Sequence, residues 1–227
     1  MRIVVLTGAG ISAESGLSTF RDSGGLWEGH DPMDVATPEA FAEDPDLVHR
    51  FYDERRSALE RVRPNAAHTA LARLEEALGD DLFLVTQNVD DLHERGGSRR
   101  VHHMHGELTS AWCTACDTRH TWRAPLAHGP DCPGCEETSL RPDIVWFGEI
   151  PYGMDLIEER LAAADLFVAI GTSAVVYPAA AFVHWARGET LELNLDQSAA
   201  SGDFTRSRRG PATELVPAWV DEVLAAI

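Results

Sequence analysis

Apolar positions cluster in short blocks along the chain, and the blocks end in glycine, hydroxyl or amide residues. Ile3, Val4, Val5 and Leu6 lead into Thr7-Gly8-Ala9-Gly10, and Leu82, Phe83, Leu84 and Val85 lead into Thr86-Gln87-Asn88-Val89-Asp90. Residues 165–170 lead into Gly171-Thr172-Ser173, and residues 191–195 form a further block reaching Asn194 and Asp196. Such short, mostly apolar runs describe strands buried on both faces. Residues 143–147 also read as extended. Between the strands the period changes. Ala67, Ala70, Leu71, Leu74 and Leu78 recur at helical spacing between Pro64-Asn65 and Gly79, which stops the helix. Residues 46–59 and 157–163, and a C-terminal stretch from about Pro217, read as further helices. Residues 24–45, rich in Gly, Pro and Asp, read as a mobile loop, and residues 207–210 as a solvated one. Strands alternating with helices predict an α/β fold, a Rossmann-like parallel sheet with helices on both faces.

Composition narrows the function classes. The 227 residues suit one large domain, or one domain with a small insertion. Hydrophobic content of 44% and charged content of 25% are those of an ordinary globule, and no apolar run approaches the roughly 20 residues that span a bilayer. No membrane association is expected. The first strand starts at Ile3, which is expected to leave no room for a targeting segment. Net charge is −18, from 37 acidic against 19 basic residues, so a polyanionic backbone is repelled and nucleic-acid binding is not expected. A basic peptide is attracted, although the same charge also serves solubility. All the basic residues are arginine; lysine is absent.

The four cysteines form two pairs, Cys113-x-x-Cys116 and Cys132-x-x-Cys135, with 15 residues between them. Two turns presenting two thiolates each make a tetrahedral site suited to zinc. Sulfur fills all four positions, so the ion is expected to be structural. Two disulfides of an exported protein are the alternative, but a chain this long buries a core without covalent staples. Reduced thiolates point to the cytoplasm.

The chemistry is therefore expected where the strands end, since ligands of an open parallel sheet bind at its carboxyl edge. Gly8-Ala9-Gly10, Gln87-Asn88-Val89-Asp90, Gly171-Thr172-Ser173 and Asn194/Asp196 converge there, and glycines let a diphosphate approach backbone N–H groups. The full dinucleotide fingerprint is incomplete, because Ala13 stands at its last position. His102, His103 and His105 precede Gly106-Glu107. A second metal site is one reading of this run. A single general base is the simpler one, and His105, followed by glycine, has the clearest access to a cleft.

Together these stretches carry a resemblance. GAGISAESGLSTFRD (8–22), TQNVDDLHERGG (86–97), HMHGEL (103–108), the two cysteine pairs, VWFGE (145–149), GTSAVVYPAA (171–180) and NLD (194–196) resemble the sirtuin family from end to end. The resemblance implies an NAD-dependent protein-lysine deacylase, with a Rossmann-like NAD-binding domain over residues 1–30, 80–108 and 142–227. It implies a helical segment and cofactor loop over 31–79, and a zinc module over 109–141. Ala9, Gly10, Ala13, Phe20, Arg21 and Trp27, beside Gly8, would line and cover the NAD site. Gln87, Asn88 and Asp90 would hold the ribose and nicotinamide pocket, with His105 as base taking a proton through the ribose hydroxyls. Gly171, Thr172, Ser173, Asn194 and Asp196 would bind the phosphate and adenosine side, with Ala212 near the adenine. Val145, Phe147, Gly148 and Glu149, with Val175 and Tyr177, would form strand-like edges around an acyl-lysine peptide. The products would be nicotinamide, free lysine and O-acyl-ADP-ribose. A mono-ADP-ribosyltransferase or a non-catalytic NAD-binding zinc module are the competing readings. The oligomeric state stays open, with a monomer as one reading.

One helix bears on the acyl group. Val48, Tyr52, Arg55 and Leu59, at i, i+4, i+7 and i+11, share a helical face. An arginine among apolar neighbours needs a partner, and a structural ion pair to a carboxylate is one answer. Tyr52-x-x-Arg55 also resembles the pair of the sirtuin class that removes acidic acyl groups, with Ala36 as the small residue that widens its pocket. That resemblance implies desuccinylation or demalonylation, with deacetylation retained.

Overall fold

Strand β1 (Ile3–Thr7) is buried along its whole length in the computed structural model, which describes residues 1–17 and 29–227. Phe20, Arg21 and Trp27 lie outside the described residues. A short helix α1 (Gly10–Ala13) follows, then α2 (Pro32–Val35), α3 (Pro38–Glu43), α4 (Pro45–Ala58) and α5 (Ala66–Leu78). The loop expected over 24–45 is thus helical across most of 32–45. Its prolines stand at first helical positions behind Asp31, Thr37 and Asp44, whose side chains accept from the N–H groups of Met33, Ala40 and Leu47. Proline and aspartate punctuate helix starts as readily as loops, and here they do the former.

Next come β2 (Leu82–Thr86), α6 (Leu92–Arg95), β3 (Val101–His103), β4 (Gly106–Cys113), β5 (Arg119–Thr121) and β6 (Leu140–Ile144). The chain then continues through α7 (Met154–Ala163), β7 (Leu166–Ile170), α8 (Phe182–Trp185), β8 (Glu189–Asn194), β9 (Arg206–Arg209) and α9 (Ala212–Ala226). Six strands form one parallel sheet in the order β3-β2-β1-β7-β8-β9. Alternate residues feed opposite faces. Ile3, Val5, Leu84, Val168 and Leu193 pack on Leu71 and Leu74 of α5 and on Val216, Trp219 and Val220 of α9. Val4, Leu6, Val85, Phe167 and Ala169 pack on Ile157 and Leu161 of α7 and on Phe182 and Val183 of α8. Burial on both faces is why these strands read as unbroken apolar runs.

Three expectations change. Most of the solvated loop expected over 207–210 belongs to an edge strand, Arg206–Arg209, parallel to β8, and Arg206, Arg208 and Arg209 pair with Glu189, Glu222 and Glu192. A charged edge strand lacks the apolar signature by which strands are recognised, and the charges discourage further pairing. Helix α9 starts at Ala212, five residues before Pro217, because Glu14 caps its first turn. The Glu14 carboxylate accepts from Thr213 N–H (3.0 Å) and Thr213 Oγ1 (2.7 Å), and the missing proline N–H costs one interior bond. The strand expected over 143–147 is Leu140–Ile144 instead. Glu149 ends it by accepting from Trp146 N–H (2.8 Å) while its own N–H returns to Trp146 O (3.0 Å), a tight turn.

The second sheet, β5-β4-β6, is antiparallel, and its strands begin before and end after the expected span 109–141. Among the described residues, no helix is long and apolar enough to cross a membrane.

Candidate active site

The strand order places β1 between β2 and β7, so the chain reverses direction of travel across the sheet there. A crevice opens outside the carboxyl ends at such a point. The loops after β1 and β7 touch along it: Gly10 N–H donates to Gly171 O at 2.8 Å. A side chain on Gly10 would put Cβ 2.7 Å from Gly171 Cα, and Gly171 itself has φ +62°. Neither position tolerates a larger residue without moving the other loop. The result is a cleft of about 790 Å³ lined from Ala212 and Asp196 at one end to Ala36, Tyr52 and Arg55 at the other.

Polar side chains meet in its middle. His105 follows β3, and its Nδ1 lies 3.1 Å from Gln87 O, which can only accept. Nδ1 therefore carries the proton and Nε2 keeps the lone pair. Burial lowers the pKa of His105 while the hydrogen bond to Gln87 works against it, so the ring is neutral at pH 7. Asn88 Nδ2 donates to Gly8 O and to Ser12 Oγ, both at 3.2 Å. Ser12 Oγ in turn donates to Asp90 Oδ2 at 3.1 Å, and Asp90 Oδ1 accepts from Leu92 N–H at 3.1 Å. Burial raises the Asp90 pKa against these hydrogen bonds. Gln87 Nε2 reaches Thr172 Oγ1 (3.1 Å), and Asn194 Nδ2 reaches Thr172 O (2.7 Å), tying the β2, β7 and β8 loops together.

His103 serves a different end. Its Nδ1 faces Asn88 O at 3.2 Å and its Nε2 faces Glu94 Oε1 at 2.9 Å. Burial opposes its charge, but the hydrogen bond and charge of Glu94 raise its pKa overall. His102 bonds Tyr152 O at 2.9 Å. The three histidines point to three different partners, which argues against a shared metal.

At the far end α4 lays Tyr52 and Arg55 along the cleft. Tyr52 is fully buried, its oxygen accepts from Trp146 Nε1–H at 3.1 Å, and burial pushes its pKa up. The Arg55 guanidinium carbon lies 5.6 Å from the centre of the Phe51 ring. Ala36 faces the same space, and its carbonyl accepts from Phe147 N–H at 2.9 Å.

Cys113 ends β4 of the small sheet and the other three cysteines stand in the turns beside it, away from the cleft. Sγ of Cys113 and Cys135 are 3.7 Å apart, Sγ of Cys116 and Cys132 3.8 Å, and all four fall within 4.8 Å. A disulfide would need about 2.05 Å. A tetrahedron with zinc–sulfur bonds of about 2.3 Å has edges of about 3.8 Å, so the four thiolates fit one zinc ion.

The model of the Sir2 family matches residues 8–178. The chain belongs to the Sir2 family. Over 100% of its length it is 54% identical to the NAD-dependent protein deacylase of Caulobacter vibrioides, covering 98% of that protein. It is 56% identical to the NAD-dependent protein deacylase SIR2rp3 of Leishmania major, over 98% of this chain and 95% of that one. A solved complex of a Sir2 homologue with NAD superposes with a TM-score of 0.89 at 40% identity, covering 99% of this chain and 90% of that chain. A Sir2 protein carrying a deacetylated p53 peptide and 3′-O-acetyl ADP-ribose superposes with a TM-score of 0.84 at 30% identity, over 97% and 93% of the two chains.

Most residues expected at the site share the one cleft. Gly8, Ala9, Gly10 and Ala13 line it with Gln87, Asn88, Asp90 and His105, and so do Gly171, Thr172, Ser173, Asn194, Asp196 and Ala212. Ala36, Tyr52, Arg55, Val145, Phe147, Gly148, Glu149 and Tyr177 also face it. Val175 does not; it is exposed beside the cleft. Neither 147–149 nor 175–177 is a strand, contrary to the strand-like edges expected, since tight turns follow β6 and precede the helical turn at Ala179. The Glu149 carboxylate is occupied by Arg141 at 2.8 and 3.0 Å. Of the lining residues that were not expected, Ser12 and Trp146 hydrogen-bond through their side chains to expected ones. Ser12 joins Asn88 to Asp90, and its place two residues after Gly10 was its only sequence signal. Trp146 lies within the VWFGE stretch, where its apolar neighbours hid it.

Proposed function

We propose that this chain is an NAD-dependent protein-lysine deacylase whose pocket accepts the acidic acyl groups succinyl and malonyl as well as acetyl. The observation that carries this reading is the joint presence, in one cleft, of a neutral histidine base and a tyrosine–arginine pair. Relatives named as NAD-dependent protein deacylases, more than half identical over the whole chain, support the first part.

The cleft suits a dinucleotide. Its volume lies in the range of ligand sites, and its lining supplies amide and hydroxyl donors with glycine-lined backbone between them. Thr172, Ser173, Asn194 and Asp196 would hold the phosphate and adenosine end, and Gln87, Asn88 and Asp90 the ribose next to nicotinamide. When bound, NAD supplies an electrophilic ribose carbon with nicotinamide as leaving group. His105 takes a proton at Nε2, because Gln87 O keeps the proton on Nδ1 and burial keeps the ring neutral. Asn88 and Asp90 are held by Gly8, Ser12 and Leu92, so their side chains meet the ligand already oriented. Zinc would sit on Cys113, Cys116, Cys132 and Cys135, where it holds the small module and takes no part in the reaction.

At the acyl end, Arg55 offers two parallel N–H groups to a distal carboxylate, and the Tyr52 phenol adds a donor hydrogen. Trp146 fixes the Tyr52 oxygen by its own hydrogen bond. Acetyl-lysine has no distal charge and relies on neither. Arg55→Met should therefore raise KM for a succinyl-lysine peptide and cut kcat/KM by about 10²-fold, while acetyl-lysine turnover stays within a few-fold. Tyr52→Phe should act the same way more mildly. Equal losses on both peptides would make Arg55 a structural cation and remove the acidic-acyl preference.

A further inference from the structure

Helix α4 carries two stripes offset by one residue. Val48, Tyr52 and Arg55, continued by Leu59 just past the helix end, form the first, and Tyr52, Arg55 and Leu59 reach the cleft. His49, Asp53 and Arg56, again at i, i+4 and i+7, form the second, turned about 100° around the axis. The second stripe grips the small antiparallel sheet and the segment between β5 and β6, and most of its bonds go to backbone. Asp53 accepts from Leu126 N–H and Ala127 N–H, each at 2.9 Å. Arg56 Nε donates to Leu108 O at 2.6 Å, and its Nη1 pairs with Asp53 and reaches Ala124 O at 3.4 Å. His49 Nε2 lies 3.2 Å from Leu140 O in β6.

His49 and Arg56 are buried, the Arg56 side chain to 5% exposure, and the Asp53 side chain is 13% exposed. An ion pair whose other hydrogen bonds go to fixed backbone holds one geometry, and breaking one half leaves the other uncompensated. Leu108, whose carbonyl Arg56 holds, also lines the cleft and packs with Tyr52 and Trp146. The clamp thus acts on both walls of the acyl end, the helix and strand β4. It makes no direct bond to His105 or to the β1 and β7 loops.

We propose that Asp53, Arg56 and His49 are positioning residues for acyl selectivity, fixing the rotation and depth of α4 so that Tyr52 and Arg55 meet a distal carboxylate. This rests on the acidic-acyl reading given above. A bidentate hydrogen bond fails with small displacements, whereas a short apolar acyl group tolerates them. Selectivity, not turnover, is what the clamp secures.

The experiment compares succinyl- and acetyl-lysine forms of one peptide for Asp53→Asn, Arg56→Lys, Asp53→Glu and, in parallel, Arg55→Met. For Asp53→Asn and Arg56→Lys, KM for the succinyl peptide should rise by about tenfold with kcat within about twofold, the signature of lost binding rather than lost chemistry. KM for NAD and both constants for the acetyl peptide should stay within about twofold, and metal content should match the unaltered chain. Asp53→Glu, which keeps the charge, should recover part of the succinyl KM. Arg56→Lys, which retains a cation beside Asp53, keeps the test available if Asp53→Asn does not fold. Equal loss on both peptides, or no change on either while Arg55→Met loses the succinyl peptide, would overturn the clamp and leave the acyl reading standing. If Arg55→Met itself loses both peptides equally, the acyl reading falls and the clamp with it.

Discussion

His105 is the residue on which turnover should depend most. Its replacement by alanine removes a base that no neighbour replaces, since His103 is committed to Asn88 and Glu94 and His102 to Tyr152. Deacylation should fall by about 10²-fold or more with folding and zinc content unchanged. The pH dependence has a definite sign. His105 works as the neutral form, and burial sets its folded pKa below 6.5. Activity should therefore be complete at pH 7 and fall only as pH drops below 6.5, through that lowered pKa. Near-normal turnover in the folded variant, or an acid limb centred above 6.5, would remove His105 from this role. Its candidacy was legible in the run of histidines before glycine. The different duties of the three rings were not, because they depend on carbonyls and a carboxylate brought in from the loop after β2, α6 and the 145–153 segment.

At the scale of elements, the sheet was legible where both faces are buried and illegible where they are not. β1, β2, β7 and β8 announce themselves as apolar runs, whereas β9 is built from arginine and serine and is held by carboxylates on β8 and α9. The helices at 32–43 were hidden because their prolines and aspartates mean a helix start only once a hydrogen bond closes on the next turn. The cysteine module was the clearest signal, since spacing alone brings four thiolates to one point. Its stability should follow the metal. Cys113→Ser or Cys132→Ser should empty the site, lower the melting temperature and reduce activity indirectly, because metal binding there is folding free energy. A zinc-free variant that melts and turns over like the unaltered chain would rule out a structural ion.

For the molecule as a whole, the charge of −18 and the missing lysine both face its substrate. A field of this sign favours acyl-lysines flanked by basic residues and weakens with salt. The chain has no ε-amine to acylate, and arginine stays protonated, so reactive acyl donors find only a terminal α-amine and the cysteine thiols, whose thioesters are labile. Excess succinyl-CoA, followed by hydroxylamine and removal of the reagent, should leave activity unchanged. Intact-mass measurement should show at most one stable N-acyl group, and several adducts, or a loss reversed by NAD, would defeat this. The most direct test of the whole account is product analysis by mass spectrometry. Acetyl-, succinyl- and malonyl-lysine forms of one peptide are incubated with the chain, with and without NAD. All three should lose their acyl group only when NAD is present, the acidic pair with the higher kcat/KM, and each turnover should yield one nicotinamide and one O-acyl-ADP-ribose. Acyl loss without NAD, or peptide that gains the mass of ADP-ribose, would contradict it.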